Sequence, residues 1–421
     1  MRVYLRTFGC RANHYDSEVA RSMIEHAGHE IVGSATDADV ALFNSCAVTA
    51  EAEADLRQAV RRAARERPGL RSVIMGCASG LAAARDDEGL RTLPSVQRLV
   101  VGADMPALAA ALELAPDSAI AKAAAQTSVR ALLRVQDGCD EHCTFCATTV
   151  ARGANRSRPV ADIVDEALVL ADRHPEIVIT GIHIGSYGRD TGSSLGELLQ
   201  RLVRDVPRVR FRLSSLEATE IDDRLFDLLT GDAARVAPHL HAPLQSGSDR
   251  LLKRMGRHWY TGGEYAAAID RLVTARSVFG LGADIIVGFP GENEADHSAT
   301  MELVERLPFT YLHVFPFSSR PGTAAQRLGP AVDARITADR ARQLRELGAS
   351  KSAAYRATRA GGVADVVVVR GGSNAIEREG MTEDYLTVLP GASRLPRGSR
   401  YRAHLIAVGD RLVANPLVPS L

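Results

Sequence analysis

The chain lacks any apolar run approaching the ~20 residues that a membrane-spanning helix needs, and its opening, Met1-Arg-Val-Tyr-Leu to Gly9, has no positive-then-apolar signal segment. These absences predict a cytoplasmic protein with no membrane partner. It also lacks net charge: 51 basic residues balance 51 acidic ones, so no overall electrostatic footprint advertises nucleic acid, and such a partner would be met by local patches. Lysine is scarce among the basic residues, nearly all of which are arginine. That suits planar phosphate contacts and equally suits a base-composition bias. Cysteine is scarce too. Six could form three disulfides, but that device belongs to small secreted domains, and in 421 residues without a signal segment metal or redox chemistry is expected.

Half of the cysteines fall within eight residues, Cys139-Asp-Glu-His-Cys143-Thr-Phe-Cys146. Three thiolates spaced C-x3-C-x2-C can hold three corners of a cubane iron–sulfur cluster, whose common all-protein ligation uses four. The missing fourth ligand is informative, because an open metal position accepts an exogenous ligand. Buried thiols or a structural zinc site are the alternatives; for zinc, His142 would have to close the site by distorting the loop.

Length allows two or three domains, and 46% hydrophobic with 24% charged residues is an ordinary globular balance. Residues 1–114 alternate strand and helix patterns: strands at Arg2–Thr7, Asp39–Asn44, Ser72–Met75 and Gln97–Val101, helices at Asp16–His26, Thr49–Glu66 and Met105–Leu112. This predicts an α/β class, with a small doubly wound parallel-sheet domain of flavodoxin or Rossmann type. Cys10, Cys46 and Cys77 each follow one of its strands, and strand ends of such sheets converge on one crevice. Three thiolates there would form a second three-cysteine site; buried structural cysteines are the alternative.

Ala115–Ser128 reads as a linker. Residues 129–360 then carry six strand patterns, Leu132–Gln136, Ile177–Thr180, Arg208–Ser214, His239–Leu244, Gly282–Val287 and Tyr311–Phe315, with helices between, such as Val160–Asp172, Leu195–Val206, Glu264–Val278 and Glu294–Arg306. A partial (β/α)6 barrel follows, its active residues on the loops after the strands. Arg335–Arg359 is a helix with seven basic and two acidic residues, read as a solvated face somewhat ahead of a phosphate-facing one. Residues 361–421 change to short strands, Ala364–Val369, Tyr385–Val388 and Tyr401–Val408, predicting a small β-barrel.

With these pieces placed, the chain resembles the radical S-adenosylmethionine (SAM) methylthiotransferases. The matching stretches are Thr7-Phe-Gly-Cys-Arg-Ala-Asn13, Asn44-Ser-Cys-Ala-Val-Thr49, Met75-Gly-Cys77, the loop Cys139–Cys146 with Ala151-Arg-Gly153, Thr180-Gly-Ile-His-Ile-Gly185, Arg212-Leu-Ser-Ser-Leu-Glu217, Leu244-Gln-Ser-Gly247, Asp284-Ile-Ile-Val-Gly-Phe-Pro-Gly-Glu292 and Phe317-Ser-Ser-Arg-Pro-Gly-Thr323. Glu379-Gly-Met-Thr-Glu-Asp-Tyr385 resembles the signature of the carboxyl-terminal TRAM domain, an RNA-binding module. The loop departs from the family at Ala147-Thr-Thr-Val150, where a proline usually follows two apolar residues.

The resemblance implies two [4Fe-4S] clusters and SAM: Cys139, Cys143 and Cys146 on the SAM-cleaving cluster, and Cys10, Cys46 and Cys77 on an auxiliary one. It also implies Glu217 at the SAM ribose, with Gly181 and Gly288 letting backbone approach the methionyl and adenine parts. Partners would be tRNA, an electron donor and a sulfur source. Gly-Cys-Arg-Ala-Asn, Gly-Ile-His-Ile-Gly and Cys-Thr-Phe-Cys look most like the branch that adds a methylthio group to N6-threonylcarbamoyladenosine beside the tRNA anticodon. Other branches act on N6-isopentenyladenosine or on an aspartate of a small-subunit ribosomal protein, and a non-enzymatic iron–sulfur RNA-binding or sensing protein is a different class of reading. In the last module Arg370, Arg378, Arg394, Arg397, Arg400 and Arg402 are the candidate phosphate contacts.

Overall fold

The computed structural model describes residues 1–46, 50–115, 126–371, 378–391 and 395–417. Arg394 and most of the expected linker therefore lie outside the described residues.

The first unit has strands β1 (Arg2–Thr7), β2 (Glu30–Val32), β3 (Val40–Ser45), β4 (Arg71–Gly76) and β5 (Val96–Val101), with helices α1 (Arg11–His26), α2 (Ala50–Glu66), α3 (Cys77–Arg85) and α4 (Met105–Ala111). All strands pair in parallel, in the order β2-β1-β3-β4-β5, the doubly wound arrangement expected. Leu42 faces Met23, Ile24 and Leu108 of α1 and α4, while Phe43 faces Leu56, Val60 and Leu81 of α2 and α3. One strand thus feeds both cores by simple alternation. Three features differ from the expectation. β2 is too short to show a period, α1 begins five residues early at Arg11, and Cys77 does not sit in a loop but opens α3.

Next come β6 (Arg130–Arg134), a two-residue pair β7 (Gln136–Asp137) and β8 (Arg156–Ser157) flanking α5 (Thr148–Arg152), then α6 (Val160–Ala171), β9 (Glu176–Thr180), α7 (Leu195–Asp205), β10 (Arg210–Leu213), α8 (Asp223–Thr230), β11 (His239–His241), α9 (Asp249–Arg254), α10 (Gly262–Ala275), β12 (Gly280–Val287), α11 (Glu294–Arg306) and β13 (Tyr311–Pro316). β6-β9-β10 and β11-β12-β13 are parallel sheets joined by the parallel bridge Ser215–His241. The result is the six-stranded partial barrel. Helices α7 to α11 start on side-chain caps: Thr261 and Glu264 form a capping box on α10, and Asn293 and Asp296 another on α11. Leu198, Leu199 and Leu202 of α7 bury against Ile177, Phe211 and Leu213, each leucine contributing roughly 1.5–3 kcal/mol.

Helix α12 (Ala334–Arg359) is in part the solvated face expected of it, with Arg335 and Arg342 exposed and Arg342 paired to Asp339 and Glu346 of the same helix. Its other side is engaged: Arg340 is buried beside Glu292 and Glu294, Arg345 donates to the Val314 carbonyl, Lys351 to the Glu305 and Leu307 carbonyls, and Arg359 pairs with Glu383 and Asp384. Those four cations brace the barrel and the last module. That module closes as β14-β15-β16-β18-β17, from β14 (Val363–Arg370), β15 (Glu379–Met381), β16 (Thr387–Pro390), β17 (Arg400–Val408) and β18 (Arg411–Pro416). Five strands replace the three expected, because β15 is short and β18 carries Asn415 and Pro416, which mask it.

Alternation in β10 turns Phe211 and Leu213 toward the helices, and Arg210 and Arg212 sink fully buried onto Glu176 at 2.7–3.0 Å. Arg212 also donates to the carbonyls of Thr382 and Glu383, and Arg210 to that of Asp365. The last module is thereby docked on the barrel. Tyr385, at φ +71°, is part of a turn rather than the strand expected there.

Candidate functional site

Asn13 ties together the ends of β1 and β3 and lies 3.8 Å, at its Oδ1, from Cys77 Sγ after β4. Its Nδ2 donates to the carbonyls of Phe8 and Ser45 at 3.0 and 2.8 Å, and Asn44 donates back to the Asn13 carbonyl at 2.7 Å. Gly9, at φ +99°, lies so close to Cys46 that a Cβ would come within 2.5 Å of the Cys46 Cβ; Gly76, at φ +95°, is equally tight against Asn44. Only glycine fits either place. Cys10, Cys46 and Cys77 are thus brought together, and Cys10 and Cys46 are near enough for their charge to oppose ionisation of Cys77.

The second trio sits on the loop between β7 and α5, all three partly buried. Cys139 Sγ lies 3.8 Å from His183 Nδ1 and accepts from the Glu141 backbone at 3.4 Å; Cys146 Sγ lies 3.1 Å from Thr148 Oγ1. Phe145, between the last two cysteines, stacks edge-on against Phe289. One cysteine of each trio, Cys77 and Cys146, lines the same cavity of about 100 Å³, with Leu81, Phe145 and Ala151.

Each trio has a buried arginine that the motifs did not reveal as functional. Arg152 Nε points at Cys77 Sγ from 3.3 Å, while its Nη2 donates to Asn13 at 2.6 Å and Asp16 at 2.7 Å. Arg257 Nη1 points at Cys143 Sγ from 3.5 Å, and its Nη2 pairs with Glu217. Burial pushes the Cys77 thiol up to about 11 and Cys143 up to about 12, and in each case the arginine pulls the other way. Ligation to iron requires thiolates, so these arginines favour the bound form. On His183, burial opposes protonation, but Cys139 and Glu220, the latter at 3.0 Å, outweigh it and raise the imidazole to about 10. The imidazolium is thus set beside a sulfur ligand.

Neither trio converges like the ligands of one ion. Among the described residues the set of three ligand atoms lying within 4.8 Å of one another is His241, Asp284 and His313, whereas three thiolates on one zinc stand about 3.8 Å apart, given a bond of about 2.3 Å. A cubane spreads its thiolates over three irons, and the donor sets fit that group.

Glu217 is buried, raised in pKa by that burial, and its Oε2 accepts no hydrogen bond. A buried acceptor without a donor fits a ligand hydroxyl. A Cβ on Gly181 would meet Gln136, and one on Gly288, at φ +77°, would meet Thr337, so each glycine leaves room for a neighbouring side chain.

Below the trios, the barrel lumen carries a polar band. Tyr311 Oη bonds His239 Nε2 at 2.9 Å and His241 Nδ1 at 3.1 Å; His241 Nε2 and His313 Nδ1 meet Asp284 Oδ1 at 3.0 and 3.2 Å. Burial opposes ionisation of Asp284, but the two histidines overcome it and hold the carboxyl well below the usual range. A cavity of about 220 Å³ opens beside Asp284, walled by Phe145, Gln245, Ile286, Phe315 and Phe317. Arg11, next to Cys10, donates to Tyr385 Oη at 3.1 Å. Of the candidate phosphate contacts, Arg400 is bound by Asp365 at 2.5–3.0 Å and by the Ala234 carbonyl, and so holds the fold; Arg402 is exposed.

Residues 2–102 match the model of uncharacterized protein family UPF0004, and residues 133–304 that of the radical SAM superfamily. The chain is 33% identical over 406 residues to the threonylcarbamoyladenosine tRNA methylthiotransferase MtaB of Aquifex aeolicus, covering 92% of this chain and 96% of that one. Against MtaB of Bacillus subtilis it is also 33% identical, covering 92% and 90%. The tRNA-2-methylthio-N(6)-dimethylallyladenosine synthase of Acidithiobacillus ferrooxidans is 34% identical, covering 80% and 79%. In fold alone, the radical SAM methyltransferase TsrM of Kitasatospora setae matches with a TM-score of 0.57 at 16% identity, over 77% of this chain and 76% of that one. No helix among the described residues is long and apolar enough to cross a membrane. With full-length relatives above 30% identity and both family models in the expected order, the chain belongs to the radical-SAM tRNA methylthiotransferase family.

Proposed function

We propose that Cys139, Cys143 and Cys146 hold one [4Fe-4S] cluster and Cys10, Cys46 and Cys77 a second, and that the enzyme uses SAM to place a methylthio group on C2 of N6-threonylcarbamoyladenosine beside the tRNA anticodon. The observation that carries this reading is the cavity lined by both Cys77 and Cys146, one cysteine from each trio. When bound, the first cluster supplies the open iron and the electron that cleave SAM, and the second a place to carry sulfur. The protein's part is placement. Glu217 Oε2 accepts a ribose hydroxyl of SAM, Arg257 fixes Glu217 while donating toward Cys143, and His183 does the same for Cys139. Tyr15 and Asp16 of α1, bonded to Glu166, Arg134 and Arg152, hold the auxiliary unit against the barrel and shield the space between from water.

The division we adopt is 1–114 for the auxiliary-cluster unit, 129–360 for the barrel with its basic helix and 361–421 for the RNA-binding module, in a cytoplasmic enzyme. An electron donor and a sulfur source complete the partners. The test is reconstitution under anaerobic conditions: about eight irons per chain, dithionite-dependent SAM cleavage, and a mass gain on threonylcarbamoyladenosine in tRNA nucleosides. A gain on isopentenyladenosine or on a ribosomal protein, with threonylcarbamoyladenosine unchanged, would overturn the substrate assignment.

A further inference from the structure

C2 and C6 of adenine flank the same ring nitrogen, so a base presented with C2 toward the two trios carries its N6 substituent into the neighbouring part of the lumen. That part is where a cavity, apolar apart from Gln245 and Ser318, meets Asp284, held by His241 and His313. Arg11, from the auxiliary unit, meets the other end of the same polar band: among the described residues it pairs with no carboxylate and donates to the Tyr385 hydroxyl at 3.1 Å. Tyr385 packs at a tilt against Tyr311 with ring centroids 5.4 Å apart, and Tyr311 at a tilt against His313 at 5.4 Å, so the two ends belong to one continuous wall.

Resting on the substrate reading above, we propose that Arg11 and the His241–Asp284–His313 cluster form the subsite that recognises the threonylcarbamoyl group. Arg11 takes its carboxylate, and Asp284 accepts from its ureido N–H or hydroxyl. A guanidinium and a carboxylate make a charge-assisted, potentially bidentate pair. An isopentenyl group offers neither charge nor donor, and would cover Arg11 without giving it a carboxylate and Asp284 without giving it a further donor, the situation by which polar pockets reject apolar analogues. The subsite therefore selects by what an apolar substituent fails to satisfy.

The test uses the reconstituted holoenzyme and synthetic anticodon stem-loops carrying threonylcarbamoyladenosine, isopentenyladenosine or plain adenosine at one position, with affinity read by fluorescence anisotropy and product by nucleoside mass spectrometry. The wild type should prefer the threonylcarbamoyl stem-loop over the adenosine one by at least about tenfold. Arg11→Met should erase that preference while affinity for plain adenosine stays within about twofold, Arg11→Lys should restore part of it, and His313→Phe should reduce it. Equal binding by the wild type, or an Arg11→Met loss that is the same for all three RNAs, would overturn the proposal. So would a divalent ion bound stoichiometrically by wild type and lost in His313→Phe, which would assign the cluster to a metal. If the wild type methylthiolates threonylcarbamoyladenosine and Arg11→Met keeps its preference, this inference falls alone; if the wild type modifies only isopentenyladenosine, the substrate reading falls first.

Discussion

Arg257 Nη1 lies 3.5 Å from Cys143 Sγ, and the same guanidinium pairs with the buried carboxylate of Glu217. One side chain therefore links a cysteine proposed as a cluster ligand to the residue proposed for the SAM ribose. Replacing it by methionine strands Glu217 as an uncompensated buried charge, a loss of about 3–5 kcal/mol for a pair of this kind. Arg257→Met should melt at a markedly lower temperature than wild type and hold less iron. Arg257→Lys should recover stability in part but not SAM affinity, since one ammonium cannot span both partners. Calorimetry and SAM titration check both.

The trios should also separate by mutation. Cys143→Ala is expected to keep about four irons and lose SAM cleavage, whereas Cys77→Ala is expected to keep about four irons and still cleave SAM while forming no methylthio product. Iron assay and product analysis decide; eight irons with SAM cleavage in Cys143→Ala would remove the assignment.

Glu176 is fully buried between Arg210 and Arg212; burial opposes its ionisation, and the two arginines outweigh it, holding it well below the usual carboxylate range. A folded-state pKa below the unfolded one contributes stability that is present above about 4.3, the unfolded value, and lost as pH falls toward the folded one. Glu176→Gln should therefore be less stable at pH 7 by about 3–5 kcal/mol, with the gap narrowing only below about pH 4.3. Denaturant melts of the two proteins across pH 3–8 measure this. Because Arg212 also grips Thr382 and Glu383, limited proteolysis should release the last module sooner in the variant.

Two arginines two residues apart should behave differently toward RNA. Arg402 is exposed, and its replacement by alanine should weaken tRNA binding and lower the slope of log affinity on log salt by about one. Arg400, committed to Asp365, should instead cost stability and leave the salt slope unchanged. Salt titrations of binding distinguish them.

Local pattern was enough for much of this molecule. The C-x3-C-x2-C loop declares itself because its ligands are adjacent in the chain, and strand and helix periods showed a doubly wound unit, a six-stranded barrel and a β module in that order. Elements too short to show a period, such as β2 and β15, did not show, and nothing in Met75-Gly-Cys announces that a helix starts at Cys77.

The chain by itself settled which chemistry is carried, since six thiols in two open trios are a matter of composition and order. Only tertiary structure decided what surrounds them. Arg152 and Arg257 reach sulfurs 75 and 114 positions away in the chain, and Arg11 meets Tyr385 across 374. Contacts at that separation are created by folding, through side chains whose partners no local spacing can encode.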